Sequence, residues 1–183
     1  NLLFTDINGN LTESPKDSDR QLTGKNSLPK YQGGFGFDLK YKGFFASTSF
    51  SFVAKVYRYD YDLNGYLDPG NLGTFNVTTD LLNAWTPTNT NTNIPSLNAA
   101  NYGFQDNSDR FLRDASYLRL RNVQVGYDLP KTFFSGTPLQ SVSFTLQAEN
   151  IYTWTKWKGF DAESNRNADQ YQYPTPRIYT FGV

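Results

Sequence analysis

Several stretches of this chain alternate apolar and polar side chains with a period of two, the spacing of a β-strand with one greasy face and one wet face. Residues 31–41 place Phe35, Phe37, Leu39 and Tyr41 in one phase and Gly34, Gly36, Asp38 and Lys40 in the other. Lys42 and Gly43 follow as a tight hairpin turn. Residues 44–59 carry Phe44, Ala46, Phe50, Phe52, Ala54 and Val56 on one side, with Ser47, Ser49, Ser51 and Lys55 on the other. The alternation is cleanest in 139–154, where Val142, Phe144, Leu146, Ala148, Tyr152 and Trp154 oppose Ser141, Ser143, Thr145, Gln147 and Glu149. Between 111 and 129 the rhythm slips. Leu118 and Leu120 share one phase, while Val123, Val125, Tyr127 and Leu129 share the other. A bulge, or a change in what each face touches, is expected at Arg121 and Asn122. Tyr179, Phe181 and Val183 are in phase on a last strand.

Alternation does not say whether the greasy face meets lipid or a protein core, so a transmembrane barrel and a soluble two-sheet sandwich both fit. Two features favour the barrel. The run 44–59, about 16 residues, far exceeds the roughly 5–6 of an ordinary soluble strand. Tyr57, Tyr59, Tyr61, Tyr152, Trp154 and Trp157 cluster at strand ends, as aromatic girdles do at a membrane interface. Composition agrees: 17% of residues are aromatic, including 15 Phe and 13 Tyr, yet the mean hydropathy is only −0.60. No run approaches the roughly 18 apolar residues a spanning helix needs, whereas barrel strands average their hydropathy away.

The connections alternate in length. Lys42 with Gly43 and residues 130–138 are short, while 60–110 and 155–176 are long and rich in Asn, Thr, Pro and Gly. Residues 80–85 suggest one helical turn within the first long loop. The 17 basic and 17 acidic side chains cancel, which gives no reason to expect a nucleic-acid partner. With no Cys and no His, disulfides, thiolate metal sites and the commonest general base are excluded from this stretch. The sequence starts at Asn1 without a signal peptide, so it is expected to be part of a longer protein.

Six segments, in order, resemble the SusC/RagA family of TonB-linked outer-membrane proteins. They are 24–30 (GKNSLPK), 84–87 (AWTP), 116–131 (SYLRLRNVQVGYDLPK), 148–153 (AENIYT), 158–163 (KGFDAE) and 173–182, which opens with Tyr173 and Pro174 and closes RIYTFG. Two departures stand out: Ala162 replaces the usual Pro, and the chain stops at Val183 instead of a terminal Phe. The resemblance implies an all-β fold, the last five or six antiparallel strands of a large plugged transmembrane β-barrel with long extracellular loops. Residues 1–183 would then be the C-terminal part of a TonB-dependent transporter barrel, with the plug and TonB-contacting region absent from this chain. The implied partners are a SusD-like surface lipoprotein, the TonB system through that plug, and outer-membrane lipid. The family's periplasmic terminus would place residues 5–30, 60–110 and 155–176 outside the cell.

Candidate functional residues lie in the loops. Trp85, Tyr102 and Trp157 offer aromatic faces for a sugar ring or for the capping lipoprotein; the plainer reading is girdle or loop-core packing. Asp161 and Glu163 have the look of an acid/base pair, but adjacent loop acids lack the set separation that glycoside hydrolysis requires, so no catalytic residue is assigned. Asp6, Asn8, Asn10 and Asp17 follow part of a calcium-loop spacing, although Leu11 stands where the loop needs Gly. A structural calcium there is the one cofactor the pattern suggests. Arg113, Arg119 and Arg121 are expected to be structural charges on the lumen side, either solvated or facing plug carboxylates, and not a substrate site. The function expected is energy-coupled import of oligosaccharides or peptides across the bacterial outer membrane, without enzymatic activity. The rivals are a soluble glycan-binding β-sandwich, a glycan-degrading enzyme and a passive porin.

Overall fold

The computed structural model describes residues 1–159, 161–164, 173 and 175–183. Among the described residues nine strands form: β1 (Phe4–Thr5), β2 (Leu11–Thr12), β3 (Tyr31–Tyr41), β4 (Phe44–Ala54), β5 (Tyr57–Tyr59), β6 (Leu112–Asp114), β7 (Tyr117–Asp128), β8 (Ser143–Thr155) and β9 (Ile178–Gly182). The dominant element is a five-stranded antiparallel sheet in the order β3-β4-β7-β8-β9, open at both edges. Lys42 and Gly43 close the β3–β4 hairpin, both at positive φ (47° and 87°). That matches the right-handed twist of the strands it joins.

The sheet has the two faces that the alternation requires. Phe37, Thr48, Val123, Ala148 and Tyr179 form one cross-strand row on the apolar face, and the neighbouring rows supply Phe35, Phe50, Leu39, Ala46, Val125, Leu146 and Phe181. These side chains are not covered: Phe37 is 66% exposed, Leu146 52% and Phe181 68%. The sandwich alternative needs that face packed against a second sheet, and its exposure speaks against it. Eleven residues at ~3.3 Å each, tilted by ~45°, cross roughly 25 Å, the height of a barrel's apolar band. Aromatic rings line both ends of the face. Tyr31, Tyr152 and Trp154 lie toward one end, with Tyr41, Phe44 and Tyr127 toward the other. The opposite face is polar and stitched by side chains. Ser143 donates to Asp128 at 2.6 Å and Gln147 to Glu149 at 2.9 Å.

The phase slip is a bulge. Between β4 and β7 the register shifts at Ser49/Phe50, where Arg121 is the extra residue. Between β7 and β8 that single residue stands opposite two, Asn150 and Ile151. Asn150 absorbs the added length at φ 53°, a left-handed conformation that Asn tolerates better than most residues. The extra residue keeps Leu118 and Leu120 on the same face as Val123, Val125 and Tyr127. Without it, half of β7 would turn its leucines to the wet side.

Two expectations need correction. The run 44–59 is not one strand. β4 ends at Ala54, Lys55 adopts φ 57°, and β5 pairs with β6 instead of extending the large sheet. Val56, placed on the greasy strand face by pattern alone, is instead buried with Ala115, Trp157 and Ala162. The girdle is also smaller than expected. Tyr152 and Trp154 are exposed on the apolar face, but Tyr59 packs against Tyr61 at a tilt and meets Phe111 edge to face, and Trp157 is only 5% exposed. β8 stops at Thr155, whose hydroxyl accepts the Trp157 N–H at 3.0 Å and turns the chain inward.

The chain divides into two compact units. One holds Asn26–Tyr57, Asp114–Ser164 and the described residues after 172, and therefore the large sheet. The other holds Asn1–Lys25 and Arg58–Arg113. Its small core is Leu81, Ala84 and Ile94, built around a 3-10 turn at Thr79–Asn83 close to where the sequence suggested one. Asn101 ties its beginning down. The buried amide accepts the Leu2 N–H at 2.8 Å and donates to the carbonyls of Leu2 and Glu13.

Gly126 shows how tightly the wall is packed. A Cβ there would lie against the Phe45 ring and the Phe144 carbonyl. Phe45 covers the glycine from the facing strand, an arrangement that shields an otherwise bare backbone. Gly126→Ala is expected to cost about 1–3 kcal/mol through overpacking, read as a lower thermal midpoint in detergent. Adding Phe45→Ala should return part of the loss, since it removes one of the two obstructions.

Candidate functional site

The loop that follows β8 folds back onto the polar face of the sheet, and a cluster of charges holds it there. Arg119 and Arg121 stand two residues apart on β7, next to the bulge. Asp161 and Glu163 stand two residues apart on the loop; Asp161 meets one arginine and Glu163 meets both. Arg119 pairs with Asp161 and also reaches Glu163 at 2.9 Å, while Arg121 pairs with Glu163. The wall supports both cations. The Arg119 Nε donates to the Thr153 hydroxyl at 3.0 Å on β8, and the Arg121 Nε to the Ser51 hydroxyl at 2.8 Å on β4. Three adjacent strands therefore position two guanidinium groups for one loop segment.

The residue between the acids seals the arrangement. Ala162 is buried with Val56, Ala115 and Trp157. The family's usual proline is replaced here by a smaller side chain that fits among these groups. Asp161 is well supplied with donors: it takes the Arg119 guanidinium, the Glu163 N–H at 2.9 Å and the Thr175 hydroxyl. Burial alone would raise the pKa of its carboxyl. The hydrogen bonds from Thr175, the Glu163 N–H and Arg119 outweigh that and hold it below the ordinary carboxylate value. Such a group is an anchor, since an acid/base catalyst would need a raised pKa and a free lone pair facing substrate. A polar cavity of about 270 Å³ lies beside the anchor, lined among others by Arg119, Asn150, Thr153, Asp161, Thr175 and Arg177.

Arg119 and Arg121 are thus structural charges, as expected, but they are paired with loop carboxylates of this chain and are not left to solvent. The complementary i, i+2 spacing of Arg119/Arg121 and Asp161/Glu163 was the available signal, but matching the pairs required the fold. Arg113 belongs elsewhere and lies 3.6 Å from the buried Asp60. Asn150, Thr153, Thr175 and Ser51 were missed. Of these, only Asn150 was legible, as a poor strand former inside a strand run.

The remaining candidates are dispersed. Trp85 is 43% exposed, and its backbone N–H donates to the Ile94 carbonyl at 2.9 Å. Tyr102 is half-buried, donates to the Pro95 carbonyl at 3.2 Å, and has its phenol pKa raised chiefly by burial. Trp157 is committed to the core cluster and offers no open face. Asp6 caps its own turn, accepting the N–H groups of Asn8 at 2.9 Å and Asn10 at 2.7 Å, while Asp17 pairs with Arg20 at 3.0 Å. Those N–H bonds lower the Asp6 pKa. Among the described residues, no group of three or more acidic side chains is placed to hold a metal ion.

A twisted antiparallel sheet with one bare apolar face, aromatic rings at both ends and a braced polar face defines a segment of a membrane-spanning β-barrel. No family model matches the sequence. It is 34% identical over 193 aligned residues to TonB-dependent receptor P3 of Formosa agariphila, covering 99% of this chain and 18% of that protein. TonB-dependent receptor P26 of the same organism is 26% identical, over 85% of this chain and 17% of the relative. Among solved structures, the RagAB peptide importer in its open-open state matches with a TM-score of 0.84 and 28% identity, over 98% of this chain and 20% of that one. The closed-closed state matches at 0.82 and 30%, over 97% and 20%. Over nearly its whole length the chain is thus similar to a barrel portion of TonB-dependent outer-membrane receptors of the SusC/RagA type. It spans about a fifth of the length of the relatives it matches. Those relatives are receptors and transporters, not enzymes, in keeping with the anchoring role of Asp161 and Glu163.

Proposed function

We propose that this chain forms barrel wall and outer loops of an importer that takes up peptides or oligosaccharides under the drive of the TonB system. A SusD-like surface lipoprotein covers its mouth, and the plug that TonB engages belongs to other parts of the protein. The observation that carries this reading is the bare apolar face of the five-stranded sheet, combined with a likeness to a peptide importer over 98% of the chain. The open edges of β3 and β9 require neighbouring strands, because an unpaired backbone group in lipid costs several kcal/mol. Strand direction supports the orientation. The long connections all leave from the sheet end that carries Tyr152 and Trp154, and the short ones from the other. Trp85, the exposed aromatic among the candidates, is the residue suited to meet substrate or lipoprotein.

The test is uptake by cells carrying the full receptor, using fluorescently labelled casein-digest peptides and labelled malto-oligosaccharides as probes. Import of one class is expected, with loss on deletion of the receptor and on collapse of the proton-motive force by a protonophore. Uptake that survives the protonophore would make the protein a passive pore. No receptor-dependent uptake of either probe would remove the proposed substrate classes.

A further inference from the structure

A loop on the outer side of a transporter can serve as a moving lid or as a fixed part of the wall, and the two make different demands on its contacts. A lid needs contacts that are easily exchanged for water. The loop after β8 has the opposite kind. Arg119 is 4% exposed and Ala162 6%, so breaking the contact would leave a desolvated cation and uncover an apolar cluster. The anchor is also distributed, since β4, β7 and β8 each contribute a polar side chain to it through Ser51, the two arginines and Thr153. Arg121 projects from the bulge, where Asn150 holds the left-handed turn and its amide donates to the Pro176 carbonyl at 3.3 Å. The returning end of the loop is therefore attached to the same bulge as its outgoing end.

The structural comparison adds an independent observation. One geometry of this chain fits the importer's open-open and closed-closed states almost equally, with TM-scores of 0.84 and 0.82 over 98% and 97% of its length.

We propose that the stretch Asp161–Glu163, in the loop after β8, is a fixed strap, clamped to the wall by the Arg119–Asp161 and Arg121–Glu163 pairs throughout the transport cycle, so that opening does not release it. This inference rests on the importer reading above. Its consequence is that the polar cavity beside the strap keeps one shape whether the transporter is open or closed.

The experiment exploits the absence of cysteine from these 183 residues, with any cysteine elsewhere in the receptor replaced by serine. In the full receptor, Arg121→Cys and Glu163→Cys place two thiols where partly exposed charges now pair, and a short bismaleimide bridges strap to wall. A second pair, Ser51→Cys with Glu163→Cys, retains both arginines and covers the case in which the first variant fails to assemble. Two quantities are measured: the bridging rate in energised and protonophore-treated cells, and uptake of the labelled peptides before and after bridging. A fixed strap gives equal bridging rates, and bridged receptor retains at least half of the unbridged uptake. A bridging rate that falls severalfold on energisation, or uptake lost only after bridging, overturns the proposal. The unbridged control separates this failure from that of the importer reading, because a protein that is not a TonB-driven importer shows no protonophore-sensitive uptake before any bridge is made.

Discussion

Phe37→Arg is expected to destabilise the assembled barrel by about 2–4 kcal/mol, although Phe37 is 66% exposed in this chain. Its row, with Thr48, Val123, Ala148 and Tyr179, runs near the middle of the sheet, where lipid is thickest. A charge at that depth loses its hydration with no partner to replace it. The next residue gives the control. Asp38 lies on the polar face, and Asp38→Arg should stay within about 0.5 kcal/mol, as surface changes usually do. In a water-soluble protein both substitutions would be surface changes with similarly small effects. Reversible urea unfolding of the receptor in lipid vesicles measures the difference. If the two variants are equally mild, the apolar face does not meet lipid.

Arg119→Ala should cost about 3–5 kcal/mol, the range for removing one partner of a buried ion pair. The Arg119 and Asp161 side chains are 5% and 13% exposed, so the truncation strands a largely desolvated carboxylate. Arg121→Ala should cost only about 0–1 kcal/mol, because its pair with Glu163 is about one-third exposed on each side and is screened by water. Replacing Arg119 by Met together with Asp161 by Leu and Glu163 by Gln should recover most of the loss, since no buried charge is then left alone. The pH dependence has a definite sign. The Asp161 pKa is lowered by folding, so its contribution is complete above the ordinary carboxylate value of 3.8 and is lost as pH falls through the lower folded value. The stability difference between the wild type and Asp161→Asn should therefore be constant near neutrality and shrink only at the acidic end. Thermal midpoints in detergent across the acidic range provide the measurement. A difference that already shrinks near neutral pH would place the titration on another group.

Much of the wall was legible because strand patterning is local. Phe35 to Tyr41 and Val142 to Trp154 declare their faces within a few residues, and Lys42 with Gly43 names its turn. The slip at Arg121 and Asn122 was legible for the same reason, since a period of two has only two phases. Where the pattern failed, a non-local contact had overridden it. Val56 continues the alternation of β4 in sequence, yet Lys55 turns the chain so that Val56 packs with Ala115, Trp157 and Ala162. Trp157 reads as a girdle residue until the loop folds inward.

The candidate site divides in the same way. Arg119, Arg121, Asp161 and Glu163 could each be picked out from the sequence, and their shared spacing of two was visible. Their pairing was not, because it joins positions 42 residues apart through a loop whose path no local preference dictates. The sequence by itself determined which side of each strand is greasy, where the turns fall and where a bulge must lie, all consequences of backbone periodicity. Only the tertiary structure decided that the apolar side stays uncovered and that a loop is clamped to the wet side. Which surfaces meet across so many intervening residues is settled by packing and desolvation over the whole fold, and no short window of sequence contains that balance.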